Sequence, residues 1–136
     1  MTKIENQRAL RFSKTRSAHQ TELAEDYVEV ILELIEEDGD ARLSEVAQRM
    51  GVAHPTVSKS LKRLERNGLV KVLPYRSILL TKEGRLLAVA CRRRHETVVK
   101  FLLSLGLDRE TAENDAEGIE HHVSPKTLKV MEKYIC

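Results

Sequence analysis

Apolar residues recur at helical spacing along most of this chain, interrupted near the middle by a stretch patterned like a hairpin. Residues 21–38 carry Leu23, Tyr27, Val30, Ile31, Leu34 and Ile35 as one apolar stripe, and Gly39 ends the helix they predict. Residues 43–50 predict a short second helix and residues 55–67 a third, whose Val57, Leu61 and Leu64 point inward. Between them Gly51 can take the positive φ of a tight turn, and Ala47 is small where the two helices cross. Pro55 suits a first helical turn, where its missing N–H is harmless. This is helix-turn-helix spacing. Asn67-Gly68 stops the third helix, and residues 69–73 and 78–81 predict two strands around Pro74-Tyr75-Arg76-Ser77, a wing.

Beyond the wing the pattern is helical throughout. Residues 82–105 predict one long helix, Gly106 breaks it, and residues 108–122 form the next. Ser124-Pro125 opens a last short helix with Leu128, Val130, Met131 and Ile135. The C-terminal half of the long helix (Val98, Val99, Phe101, Leu102, Leu103, Leu105) is too apolar for a lone surface helix and is expected to bury against a second copy of the chain. The predicted fold is mainly α: a winged helix-turn-helix domain over residues 20–82, then an all-helical domain over residues 83–136. Residues 1–19 lack apolar periodicity and are expected to form a flexible basic arm. Its Arg8, Arg11, Lys14 and Arg16 either graze DNA phosphates or have no specific role.

Charge sharpens this division. The net +2 conceals segregation: residues 20–40 hold nine acids and no Lys or Arg, whereas residues 41–94 hold thirteen bases against three acids. Residues 1–19 carry five bases against one acid, and residues 95–136 five against eight. A basic middle between acidic segments suggests a polyanion-binding module joined to something that handles cations. On the third helix the outward residues are Thr56, Ser58, Lys59, Lys62, Arg63 and Arg66, suited to base edges and phosphates in a major groove. Arg76, at the wing tip, suits a minor groove or a phosphate. An ordinary helical hairpin with a solvated basic face is the competing interpretation.

The stretch Asp115-Ala116-Glu117-Gly118-Ile119-Glu120-His121-His122 carries the second candidate chemistry. If it is helical, Glu117, Glu120 and His121 stand at i, i+3 and i+4 and share a face. Two carboxylates and an imidazole there make half of a metal site. Candidates for the other half are Asp26 and Glu29, at i, i+3 on the first helix, and His95 on the long one. Each also has a plainer explanation: a solvated polar face, acids favouring a helix N-terminal half, a packed histidine.

Other classes recede. No apolar run is long enough to span a bilayer, and the N-terminus lacks the apolar core of a signal peptide. Cys91 and Cys136 have no CxxC or zinc-type spacing, which fits free thiols in a reducing cytoplasm. No Gly-rich phosphate loop and no Ser/His/Asp or Cys/His order points to an enzyme or a small-molecule substrate.

Taken together, Glu25-Asp26-Tyr27-Val28-Glu29, Val52-Ala53-His54-Pro55-Thr56-Val57-Ser58-Lys59, Tyr75-Arg76, Arg94-His95-Glu96 and Asn114-Asp115-Ala116-Glu117-Gly118-Ile119-Glu120-His121-His122 resemble the diphtheria-toxin-repressor family. Within it they resemble the manganese transport regulators, over roughly residues 20–125. The resemblance implies a homodimeric, manganese-responsive repressor of manganese uptake genes, acting on palindromic double-stranded operator DNA. It implies that residues 83–136 serve dimerisation and metal binding. It also implies Asp26, Glu29, His95, Glu117, Glu120 and His121 as ligands of two Mn²⁺ per subunit, and His54, Pro55, Thr56, Ser58, Lys59, Lys62, Arg63 and Arg76 as the DNA-facing set. The family's iron-responsive branch has Met at the position of Asp26 and Cys at that of Glu120. Departures are Ser77, at a wing position often Gly, an expected lack of the SH3-like third domain, and a final dimerisation helix expected to be short.

In that ligand set four carboxylates repel one another without metal, and two divalent cations balance them. Hard O and N donors suit Mn²⁺, although the Irving–Williams order favours Cu²⁺ and Zn²⁺, so selectivity of response must come from geometry. The alternatives are a winged-helix regulator answering Fe²⁺ or a non-metal effector, with Cys91 the natural sensor, and a binuclear metalloenzyme.

Overall fold

A computed structural model describes residues 2–135, the side chains of residues 15–20 excepted. Cys136 and the side chain of Arg16 therefore lie outside the description. The elements are α1 (Lys3–Asp38), α2 (Leu43–Met50), α3 (His54–Arg66), β1 (Val70–Val72), β2 (Ile78–Leu80), α4 (Lys82–Ser104), α5 (Arg109–Ile119) and α6 (Pro125–Ile135).

The first helix begins at Lys3 rather than near residue 21, so the basic segment expected as an arm is helical. A capping box starts it: the Glu5 amide donates to Thr2 Oγ1 at 3.1 Å, and the Thr2 amide donates back to Glu5 Oε2 at 2.7 Å. Residues 2–14 are exposed, Arg8, Arg11 and Lys14 among them, so this part of the helix rests on capping and propensity rather than on a buried stripe. Farther along, Tyr27, Val28, Ile31, Leu32 and Leu34 are buried, Val30 and Ile35 partly so, and Leu23 is exposed. The buried face is wider than the expected stripe because α1 packs against both α2 and α4.

The helix-turn-helix follows the sequence closely. Gly51 takes φ 70° after α2, Ala47 is buried, and Val57, Leu61 and Leu64 point into the core with Val46, Val70 and Ile78. β1 and β2 pair antiparallel with Val70 opposite Leu80 and Val72 opposite Ile78. Arg76 takes φ 61° in the wing turn. The loop after α1 is stitched to the wing: the Ile78 amide donates to the Ala41 carbonyl at 2.8 Å, and the Ser77 hydroxyl donates to Asp40.

Thr81 caps α4, accepting from the Gly84 amide at 3.0 Å and donating to the Gly68 carbonyl at 2.6 Å. Here α4 touches the wing so closely that a Cβ on Gly84 would fall 2.0 Å from the Leu69 carbonyl oxygen.

The apolar half of α4 was expected against a second copy. Within the chain Val98, Val99 and Leu102 are buried with Ala112 and Ala116 of α5 and with Leu128 and Met131 of α6. Phe101 and Leu103 are only partly buried by these two helices, and Leu105 is exposed. No described helix is long and apolar enough to cross a membrane.

Candidate metal centre and nucleic-acid interface

α5 holds Asp115 and Glu117 but ends at Ile119, just before Glu120-His121-His122. The Glu120 amide still donates to the Ala116 carbonyl at 3.0 Å, and the His122 amide to the Ile119 carbonyl at 3.0 Å. The turn this makes sends Glu120 and His121 inward together, their side chains 0% exposed, and leaves Glu117 at 67%. The single shared helical face expected of Glu117, Glu120 and His121 is therefore a helix end plus a turn.

Facing that turn are α1 and α4. His121 Nε2 lies 3.0 Å from Asp26 Oδ1 and 3.3 Å from Glu120 Oε1. His95 Nδ1 lies 3.0 Å from Glu120 Oε2 and 3.7 Å from Glu117 Oε1. Among the described residues two groups of potential ligand atoms result, each within 4.8 Å: Glu22, Asp26 and His121, and His95, Glu117 and Glu120. Glu120 spans them, one oxygen toward each imidazole. Glu29, half-buried one turn along α1 from Asp26, is in neither group. Burial and then the Glu117 charge hold its carboxyl above the usual range, so it feels the same centre.

Both rings are gripped from behind by carboxylates the sequence did not single out. His95 Nε2 lies 2.7 Å from Glu113 Oε2, and His121 Nδ1 lies 3.4 Å from the buried Glu25 Oε2. Glu25 also accepts from the Cys91 thiol at 2.9 Å and from Arg94. Burial, then Glu25, raises the Cys91 thiol far above its ordinary range, which disfavours the thiolate. A sequence signal for Glu25 exists: it falls in one helical row with Val28 and Leu32, an acid where burial calls for an apolar residue.

With each ring's far nitrogen so held, the near nitrogens converge. His95 Nδ1, His121 Nε2 and both oxygens of Glu120 are buried and make no hydrogen bond. Buried polar atoms without partners are rare, and four of them facing one another on N and O donors are what a hard divalent cation would satisfy. The donor set fits such an ion.

The second surface is α3. His54, Pro55, Thr56, Lys59, Lys62, Arg63 and Arg66 are exposed and Ser58 is half-buried, a cationic face opposite the buried Val57, Leu61 and Leu64. Arg76 is exposed at the wing tip. Helix and wing thus each present exposed cations, the charge that a phosphate backbone attracts.

A family model described as "Iron dependent repressor, N-terminal DNA binding domain" matches residues 19–78, and "Iron dependent repressor, metal binding and dimerisation domain" matches residues 81–135. The transcriptional regulator MntR of Escherichia coli O157:H7 is 52% identical over 117 residues, 86% of this chain and 76% of that protein. The HTH-type transcriptional regulator MntR of Bacillus subtilis (strain 168) is 40% identical over 100 residues, 74% of this chain and 70% of that protein. Among solved structures, a manganese-dependent transcriptional repressor in complex with manganese aligns with TM-score 0.74 and 32% identity, over 82% of this chain and 52% of that one. The manganese regulator SloR gives 0.72 and 33%, over 82% and 53%. This chain thus spans about half the length of those two solved chains.

Proposed function

This chain belongs to the iron-dependent repressor family, and from that premise we propose that it is a manganese-activated transcriptional repressor. It acts as a homodimer on palindromic operator DNA and represses manganese uptake genes. Its named relatives are transcriptional regulators, and we place it with them rather than among enzymes, at work on DNA in the cytoplasm. Asp26, Glu29, His95, Glu117, Glu120 and His121 are the residues we assign to hold two Mn²⁺. The observation that carries this is the convergence of four buried polar atoms that make no hydrogen bond, on His95, Glu120 and His121.

Bound divalent cations would supply the positive charge that these convergent carboxylates lack. The rest is the chain's own work. Asp26 and Glu29 come from α1, Glu117 from α5, and His95 from α4, so mutual repulsion among the acids opposes the docking of α1 on the α4–α5 layer. Relief of that repulsion favours one placement of α1. Through Asp40 and Ser77 that placement reaches the wing, and through the shared core it reaches α3. In a homodimer it sets the distance between two recognition helices. By linkage, operator DNA then tightens metal binding by the same factor that metal tightens DNA binding.

The test is operator binding by fluorescence anisotropy, with a palindromic site from a manganese-uptake promoter, titrated anaerobically with Mn²⁺, Fe²⁺ and Zn²⁺ at fixed salt. Tight binding with Mn²⁺ and weak binding in chelator is the expected result. Equal binding without metal would leave a winged-helix protein and remove the switch.

A further inference from the structure

α1 carries an acidic row, Glu22, Asp26, Glu29, Glu33 and Glu36, spaced alternately four and three residues so that all share one face. Toward its C-terminal end the row meets arginines: Glu33 lies 3.6 Å from Arg49, and Glu36 lies 2.6 Å from Arg92. Its N-terminal half meets imidazoles instead. Asp26 lies 3.0 Å from His121, Glu29 feels the charge of His95, and Glu22 Oε2 lies 3.0 Å from His122 Nε2. Glu22 is therefore in register with two acids already assigned to the metal centre. Its carboxylate, that of Asp26 and His121 Nε2 offer atoms all within 4.8 Å of one another. His121, its side chain 0% exposed, aims that Nε2 into the group without a hydrogen-bond partner.

We propose that Glu22 is a further ligand for the divalent cation at the Asp26–His121 end of the centre, with His122 as its positioning residue. The assignment deepens the function proposed above and rests on it. Donor supply argues for it. Two six-coordinate cations want about twelve ligand positions. The six assigned side chains offer at most about ten atoms, two from each carboxylate and one from each imidazole. At the other end of the centre Glu117 stands beside His95, with Glu120 between the ends. Glu22 supplies the corresponding outer carboxylate beside His121, and its side chain is 26% exposed, sheltered enough to hold one geometry. His122 grips Glu22 as Glu25 grips His121, with carboxylate and imidazole exchanged.

A plain Glu22–His122 ion pair would give the same contact, so the test must read the metal itself. Full-length wild type, Glu22→Gln and His122→Ala are titrated with Mn²⁺, free ion being followed by electron paramagnetic resonance, and their Co²⁺ forms are examined by visible d–d absorption. Wild type should bind two Mn²⁺. Glu22→Gln should weaken one position by about tenfold or more, leave the other unchanged, and alter the Co²⁺ band of the weakened position. His122→Ala should weaken the same position with the Co²⁺ band retained, because Glu22 still ligates. Wild-type affinities and spectrum in Glu22→Gln would overturn the assignment and leave the two-metal centre standing. A third Mn²⁺ in wild type, lost in Glu22→Gln, would move Glu22 to a separate site and overturn it as well. Failure of wild type to bind Mn²⁺ would overturn both this and the proposed function.

Discussion

Glu25 Oε2 lies 3.4 Å from His121 Nδ1, on the far side of the ring from the 3.0 Å contact between His121 Nε2 and Asp26. Arg94 and the Cys91 thiol fix that carboxylate in turn. The ring orientation at the centre is thus set from outside it. Glu25→Gln should lower Mn²⁺ affinity by about 10–100-fold while DNA binding recovers at saturating Mn²⁺. A competition titration with a fluorescent chelator reads the first and anisotropy the second. Wild-type metal affinity in this variant would mean that the ring needs no such support.

Protons occupy the centre when metal does not. Burial, with the charges of Glu29 and Glu117, pushes the Glu120 carboxyl up to about 8 against the pull of His95 and His121. Burial opposes charge on His121, but Asp26, Glu25 and Glu120 outweigh it and hold the ring at about 10. Unfolded, the two groups would titrate near 4.5 and 6.5. The stability that His121 contributes is complete below pH 6.5 and is lost as pH rises through about 10. Glu120 works against folding increasingly as pH rises from 4.5 through about 8. The metal-free protein should therefore lose thermal stability as the medium is made alkaline. Mn²⁺ must displace these protons, so its affinity should rise with pH, and calorimetric heats should depend on the ionisation enthalpy of the buffer. Heats that ignore the buffer would count against the assigned ligands.

Metal preference should follow donor softness at two positions. Asp26→Met together with Glu120→Cys replaces hard oxygens with sulfur and should turn the DNA-binding response from Mn²⁺ towards Fe²⁺. An unchanged preference in the anaerobic anisotropy assay would show that these two side chains do not set it.

Lys59 is exposed on the outer face of α3. Lys59→Ala should weaken operator and non-operator DNA alike and reduce the slope of log K against log salt by about one. A slope equal to wild type would take Lys59 out of the footprint.

Gly84→Ala puts a methyl 2.0 Å from the Leu69 carbonyl oxygen, a backbone atom that cannot step aside without moving the wing. Overpacking of this kind typically costs about 1–3 kcal/mol, so a drop in thermal midpoint should accompany weaker DNA binding. Wild-type stability would mean that α4 and the wing separate easily.

The helix-turn-helix and wing were legible because local rules decide them. Val57, Leu61 and Leu64 give the period, and Gly51 and Asn67-Gly68 give the stops. The helical start of α1 was also written locally, in Thr2-Lys3-Ile4-Glu5, but it carries no apolar stripe and so escapes a search for periodicity. What could not be read was long-range. Glu25 meets His121, and Glu22 meets His122, across 96 and 100 residues of chain, and no spacing rule joins positions so far apart. The apolar half of α4 announced that it needed cover, but its pattern could not say whether that cover came from α5 and α6 or from another molecule.

α1 and α4 each belong to both halves of the chain. α1 sends Ile31 and Leu32 into the first core and Asp26 to the centre beyond it, while α4 runs from Ala88 in that core to Val98 and Leu102 in the second. The border that sequence families draw between residues 78 and 81 therefore crosses no gap in the packing. Recombination between relatives at that border would keep each half intact and still pair an α1 with an α4 it had never met. Exchange of halves within this family would be viable only where those two helices travel together, so the unit of inheritance is larger than either domain.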